Sequence, residues 1–385
     1  MFLLRLLLRN AFRHRLRTLL TLVGLVVAVS AFGLLRTVVD AWYAGAEASS
    51  STRLITRSAT SLTVPLPLAY AQRIRSVDGV SGISWSNWFG GVYINERNFF
   101  AQFAVDGPSY LPLYPEFKLS DDARVAWLRD RQGVLVGRRL ADKFGWKIGD
   151  AIPLRGTIYP GTWNFRLRGI YEGADASVDE NQLLMHWDFL NESMRARGSR
   201  RSDLVGVFVT GIREPSDAAL VSQRIDAQFS NSLAETLTET EKAFQLGFVA
   251  MSEAILVALQ AVGGIVIVII MAVMANTMTM TARERLAEYA TLKALGFPPS
   301  FVARLLFGES LLIALAGGVA GVLLTLPLAA AFAGAVGALF PVFRVSPTTL
   351  ALQFAAALLV GVVAAAWPAW RMSRLHIVDG LRHIG

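Results

Sequence analysis

Residues 281–301 read TARERLAEYATLKALGFPPSF, a charged stretch set between two long apolar runs, and its reading decides the fold. Ala, Leu, Glu, Lys and Arg are strong helix formers. Leu295-Gly296-Phe297-Pro298-Pro299 is a stop signal, because Gly takes the left-handed position after a helix and Pro cannot continue one. The flanking runs reach the roughly 20 residues a helix needs to cross hydrocarbon. The stretch is therefore expected to be a short helix held at a bilayer surface, where a partner can push on it.

The composition agrees. Of 385 residues 54% are hydrophobic and 17% charged, with a mean hydropathy of +0.45; about a quarter of an ordinary soluble domain is charged. The net charge of +8 is unevenly placed. Segments 1–17, 276–304 and 371–385 hold 12 Lys+Arg against 3 Asp+Glu, whereas 40–246 holds 23 against 24. Basicity confined to short segments beside apolar runs is the positive-inside pattern of membrane topology, and it argues against a nucleic-acid partner. There is no cysteine, so disulfides and thiolate metal sites are excluded. His14, His186, His376 and His383 lack ligand spacing.

Four spans are expected. The first, 18–39, follows Arg5, Arg9, Arg13, Arg15 and Arg17, is long for a signal core and shows no clear cleavage site; Trp42 and Tyr43 would anchor its outer end. The second runs over 254–275, interrupted by Gln260. The third, 305–337, is longer than a membrane needs and is expected to tilt or break at Pro327. The fourth, 350–370, closes with Trp367 and Trp370 beside Arg371 and Arg374. The topology that follows has both termini (1–17 and 371–385) and 276–304 inside, with 40–246 and 338–349 outside. Thr238 and Glu241 have capping-box spacing, which suggests a helical stalk from about 247 into the second span.

Segment 40–246 reads as α+β. Strands are expected over 80–85, 91–94, 99–106, 133–136, 151–154, 165–171, 182–186 and 204–210, with helices over 138–144 and from Pro215 onward. Trp85, Trp88, Trp127, Trp146, Trp163 and Trp187 suit core packing better than a hydrophobic substrate path. Asp175, Asp179 and Glu180, and Arg195, Arg197, Arg200 and Arg201, read as solvated loops.

No catalytic, cofactor or metal motif is present: there is no phosphate-cradling Gly-x-x-x-x-Gly-Lys loop, no Gly-x-Ser-x-Gly elbow and no His-Glu-x-x-His helix. Glu253 and Glu309 are the acidic residues in or beside the spans. An intramembrane carboxylate is a functional candidate, and Glu309 is expected to pair with a cytoplasmic-side cation such as Arg304. Gly317, Gly318 and Gly321 have the spacing that lets helices approach closely. On 281–301, Leu286, Tyr289, Ala290 and Leu292 are expected to enter a partner's groove, rimmed by Arg283, Glu284, Arg285 and Lys293.

Several segments, taken in order, resemble a family. Arg283-Glu-Arg-Leu-Ala-Glu288-Tyr-Ala-Thr-Leu-Lys293-Ala-Leu-Gly296, Phe307-Gly-Glu309 with Ala316-Gly-Gly-Val-Ala-Gly321, and Trp367-Pro-Ala-Trp-Arg371 with Leu381-Arg382 are similar to the spans and loops of the FtsX-like, MacB-type (type VII) ABC transporter permeases. Gly133 to Asp150 and Phe165 to Tyr171 resemble that family's outside core domain. The resemblance implies four transmembrane helices with a large α+β periplasmic domain between the first two, in a bacterial inner membrane. It implies a second permease copy, identical or related, and a separate cytoplasmic ATPase that holds ATP and Mg. Arg283, Glu284, Leu286, Glu288, Tyr289, Leu292, Lys293, Leu295 and Gly296 would form the coupling surface. Export with a periplasmic adaptor and outer-membrane channel, or lipoprotein translocation, would be the activity; the alternative is a non-transporting transmitter that activates a cell-wall hydrolase.

Overall fold

The structure is a computed structural model and describes residues 13–47, 49–175, 177–336, 340 and 342–374. Arg5, Arg9, His376, His383, Leu381 and Arg382 lie outside the described residues.

The helices are α1 (Arg15–Glu47), α2 (Tyr70–Arg75), α3 (Gly107–Leu113), α4 (Asp121–Arg129), α5 (Arg138–Phe144), α6 (Trp187–Ala196), α7 (Ala218–Phe229), α8 (Glu241–Met251), α9 (Glu253–Glu284), α10 (Leu286–Ala294), α11 (Pro299–Val336) and α12 (Pro347–Ser373). The strands are β1 (Arg53–Ser58), β2 (Leu66–Pro67), β3 (Val80–Trp88), β4 (Gly91–Val92), β5 (Ala101–Val105), β6 (Phe117–Lys118), β7 (Gly133–Gly137), β8 (Ala151–Gly156), β9 (Gly161–Gly173), β10 (Gln182–His186), β11 (Leu204–Val205), β12 (Val207–Ile212) and β13 (Thr236–Thr240). They form two compact units. Among the described residues, one comprises 13–40, 253–335 and 343–374; the other comprises the described part of 41–252 with 336, 340 and 342.

In the first unit α1, α9, α11 and α12 are each long and apolar enough to cross a membrane. Their shared core is built from Leu25 and Val29 of α1, Ile267, Ile270 and Met274 of α9, Ile313 and Ala314 of α11, and Ala357, Val360 and Ala364 of α12. Small residues set the spacing. A Cβ on Gly317 would lie 2.7 Å from Leu25, one on Gly321 2.8 Å from Val29, and one on Gly318 2.6 Å from Ala357, so all three expected packing glycines seat α11 against α1 and α12. Polar ties add register: Gln353 Nε2 donates to the Val29 carbonyl (2.9 Å) and to Thr325 Oγ1 (2.7 Å). Of the expected tilt or break, the break is not made: Pro327 leaves α11 continuous.

The second unit is a mixed α+β domain inserted in the chain between α1 and α9. Its eleven-stranded sheet runs β13-β1-β12-β3-β5-β10-β7-β9-β8-β4, with β6 beside β9. Pairs β5–β10 and β7–β9 are parallel and the others antiparallel. Alternation along the central strands explains why helices cover both faces. Val134 and Val136 point into one core and Leu135 into the other; Leu183 and Met185 divide from Leu184 in the same way. The sheet therefore needs apolar cover on each side. Trp127, Trp146, Trp163 and Trp187 are all buried in that cover, while Trp88 is 40% exposed. With Phe99, Phe100 and Ile158, Trp88 lines a cavity of about 310 Å³. The arginines at the end of α6 and after it are exposed, and Arg197 and Arg201 donate from the surface to the carbonyls of Pro160 and Ile158 on the β8–β9 turn.

The helix after β13 starts two residues later than capping-box spacing suggested. Thr240 is the N-cap, accepting from the Ala243 amide at 3.2 Å, while Thr238 belongs to β13 and pairs with Asp226. Glu241 is turned inward instead of capping. Arg53 reaches it at 2.8 Å and Glu116 at 2.6 Å, and Arg53 lies 4.2 Å from the Tyr114 ring centre. Glu241 also accepts from the Ser50 amide and the Tyr114 hydroxyl. This buried cluster joins the residues that follow α1 to the start of α8.

Candidate coupling site

α9 ends at Glu284, and after the break at Arg285 the chain starts α10. At the far end Gly296 adopts φ +91°. There the Phe297 amide donates to the Leu292 carbonyl (3.1 Å) and the Gly296 amide to the Lys293 carbonyl (3.0 Å), the paired bonds of a glycine-terminated helix end. The stop signal in the sequence acts as expected.

Between those ends α10 is fastened along its length. Arg285 Nη1 meets Glu309 Oε1 of α11 at 2.5 Å, and its Nε meets Glu288 at 2.8 Å. Glu288 also accepts from Arg13, just before α1. One turn earlier, Arg17 of α1 grips Glu284 with two parallel hydrogen bonds of 2.9 and 2.7 Å, the strong fork geometry of a guanidinium on a carboxylate. Tyr289 is fully buried, packed in a cluster with Val302, Leu305, Leu306, Ala369 and Met372. Lys293 Nζ donates to the last carbonyls of α12, Met372 (3.0 Å) and Ser373 (2.8 Å), where a cation also meets the negative end of the helix dipole. One nine-residue helix is thus tied to α11, to α12 and to Arg13 just before α1, and follows directly on α9. A cavity of about 20 Å³, room for a single water, is lined by His14, Arg17, Thr281 and Glu309 together with Met278 and Ile313.

The electrostatics follow from these contacts. Burial alone would loosen the Arg285 proton, but Tyr289 and the carboxylates of Glu309 and Glu288 hold the guanidinium more firmly charged than usual. For Glu288, burial would raise the carboxyl, and hydrogen bonds from Arg285 and Arg13 outweigh it and lower it. Burial pushes the Tyr289 hydroxyl up and the Lys293 ammonium down.

Two expectations change. The cation that Glu309 meets is Arg285, from the break before α10, while Arg304 Nε donates to the Ser300 carbonyl. Tyr289 and Ala290 are buried, and Leu286 and Leu292 are half-buried against the same cluster, so this face is occupied by the chain itself and is not free for a groove. Arg283, Glu284, Glu288 and Gly296 are exposed, and Leu295 and Phe297 stand out at 72% and 42% exposure. The sequence reading missed Phe297 and the Arg13–Glu288 tie. Phe297 could have been found from its place directly after the helix-ending glycine; the tie spans 275 residues and leaves no local signal.

Comparison with known proteins supports the architecture. Residues 18–228 match the MacB-like periplasmic core domain family and residues 261–377 match the FtsX-like permease C-terminal family. The chain belongs to the FtsX-like, MacB-type ABC transporter permeases, a family that works with a cytoplasmic ATPase. An uncharacterized ABC transporter permease of Methanocaldococcus jannaschii is 25% identical over 409 residues, covering 97% of this chain and 96% of the relative. Two solved structures are similar to the inserted domain. The extracellular domain of the noncanonic ABC-type transporter YknZ from Gram-positive bacteria is 10% identical with a TM-score of 0.36, covering 49% of this chain and 100% of its own. A domain of a putative permease from Porphyromonas gingivalis is 14% identical with a TM-score of 0.35, covering 49% and 90%.

Proposed function

We propose that this chain is the membrane subunit of an ABC exporter, driven by a separate cytoplasmic ATPase that docks on the tip of α10. In this reading it sits as a dimer in the bacterial inner membrane, with both termini and α10 in the cytoplasm and the inserted domain in the periplasm. It would act on substrates outside the membrane, passing them to an adaptor and outer-membrane channel or moving lipoproteins. The observation that carries the reading is the asymmetry of α10. Its inner face is fastened to the spans, whereas Leu295 and Phe297, beside a helix-ending glycine, are left in the open. Exposed apolar anchors beside charged residues fit a partner's groove, and a helix so fastened passes a push on to the bundle.

Leu295→Asp with Phe297→Asp is expected to lower ATPase co-purification at least tenfold while leaving the permease in the membrane. Leu286→Asp is a poorer test, because Leu286 packs inside the chain. Wild-type retention of the ATPase by the double aspartate variant would refute the docking surface and favour a tip that rests on lipid.

A further inference from the structure

The Arg285–Glu309 pair is buried away from the exposed tip of α10. Glu309 is 1% exposed and Arg285 8% exposed, and the pair is buried while Leu295 and Phe297 are exposed. It is also a poor choice as a stabiliser, since a buried ion pair is often no better than apolar residues of the same volume. What such a pair does supply is register. The apolar contacts around Tyr289 are non-directional and would tolerate sliding, but a guanidinium committed to Glu309 on one nitrogen and Glu288 on another accepts few geometries. The pair also sits at the one backbone break between α9 and α10. A push on α10 could otherwise be absorbed there as a hinge bend.

We infer that Arg285 and Glu309 are positioning residues whose ion pair locks α10 in register on α11, so that force on α10 displaces α11 instead of bending the chain at residue 285. This rests on the reading of α10 as the ATPase-coupling helix. The chain has no cysteine, so Ser216→Cys, at an exposed site of the inserted domain, gives a single labelling position for a fluorophore. The permease–ATPase complex in lipid nanodiscs is then followed on addition of ATP and Mg.

Arg285→Met with Glu309→Met removes both charges together, so neither is left buried alone. This variant is expected to insert normally, hold the ATPase at wild-type yield and lose at least tenfold of the ATP-dependent fluorescence change. Glu309→Gln, which keeps an acceptor for Arg285, is expected to retain at least half of it. A wild-type signal from the double methionine variant would overturn the inference, as would a loss of ATPase binding in it or a loss in Glu309→Gln as severe as in the double variant. Failure of the parent reading looks different: the ATPase would stay bound to the Leu295→Asp, Phe297→Asp protein.

Discussion

Tyr289 and Arg53 carry different weights for the same reason, burial. The Tyr289 hydroxyl is buried with no hydrogen-bond partner among the described residues, and an unmade buried bond costs about 1–3 kcal/mol. Tyr289→Phe should therefore leave thermal stability in detergent unchanged or raised, with ATPase binding intact; weaker binding would return Tyr289 to the contact surface. Arg53 is the reverse case. Its side chain is 7% exposed and faces two carboxylates, Glu241 at 8% and Glu116 at 25%. Removing one partner of a buried pair costs about 3–5 kcal/mol, because the remaining charge is left uncompensated. Arg53→Met should destabilise the inserted domain by that amount in denaturant unfolding, and a change below about 1 kcal/mol would show that water reaches the cluster. Neither role could be read locally: Arg53 is one of many arginines, and its partners lie 63 and 188 residues away.

At the scale of elements, the glycine spacing in α11 was legible because small-residue spacing is a local property, and the partners it needed were not. A Cβ at Gly321 meets Val29, whereas one at Gly264 of α9 meets nothing within 4 Å. Gly321→Leu is expected to destabilise by about 1–3 kcal/mol through overpacking, and Gly264→Leu to have little effect, both measured as thermal stability in detergent; equal effects would mean the α1–α11 contact loosens in the membrane. The helix α5 falls on the expected 138–144 and the strand β10 on 182–186, because turn residues bound them on each side. α4 was not foreseen. Its start is set by Ser120, whose hydroxyl accepts from the Ala123 amide, but its charged sequence, DDARVAWLR, buries little besides Trp127 and so lacks a helical apolar stripe.

For the whole molecule, topology and acid stability are the measurable consequences. Reporters at Ser120 and Ala294 should fall on opposite sides of the membrane, and the same side for both would refute the orientation. Acid should act on the inserted domain through His186. Its ring stacks on Trp127; burial depresses its pKa below the ordinary value near 6.5, outweighing the Trp127 carbonyl 2.9 Å from its Nε2, which favours the charged ring. A depressed folded-state pKa means the unfolded chain binds the proton more readily. The contribution to stability is complete above about pH 6.5 and is lost as pH falls through the lower folded-state value. His186→Gln should flatten that part of the pH–stability curve; an unchanged slope would move the acid sensitivity to another group.

The sequence by itself determined the four apolar helices, the inserted α+β domain and a short charged helix ended by glycine, because length, hydropathy and turn chemistry are properties of neighbouring residues. Only the tertiary structure decided which face of that helix is free. Burial depends on what the rest of the chain brings alongside, and here α11 and α12 take up Tyr289, Arg285 and Lys293 and leave Leu295 and Phe297 exposed.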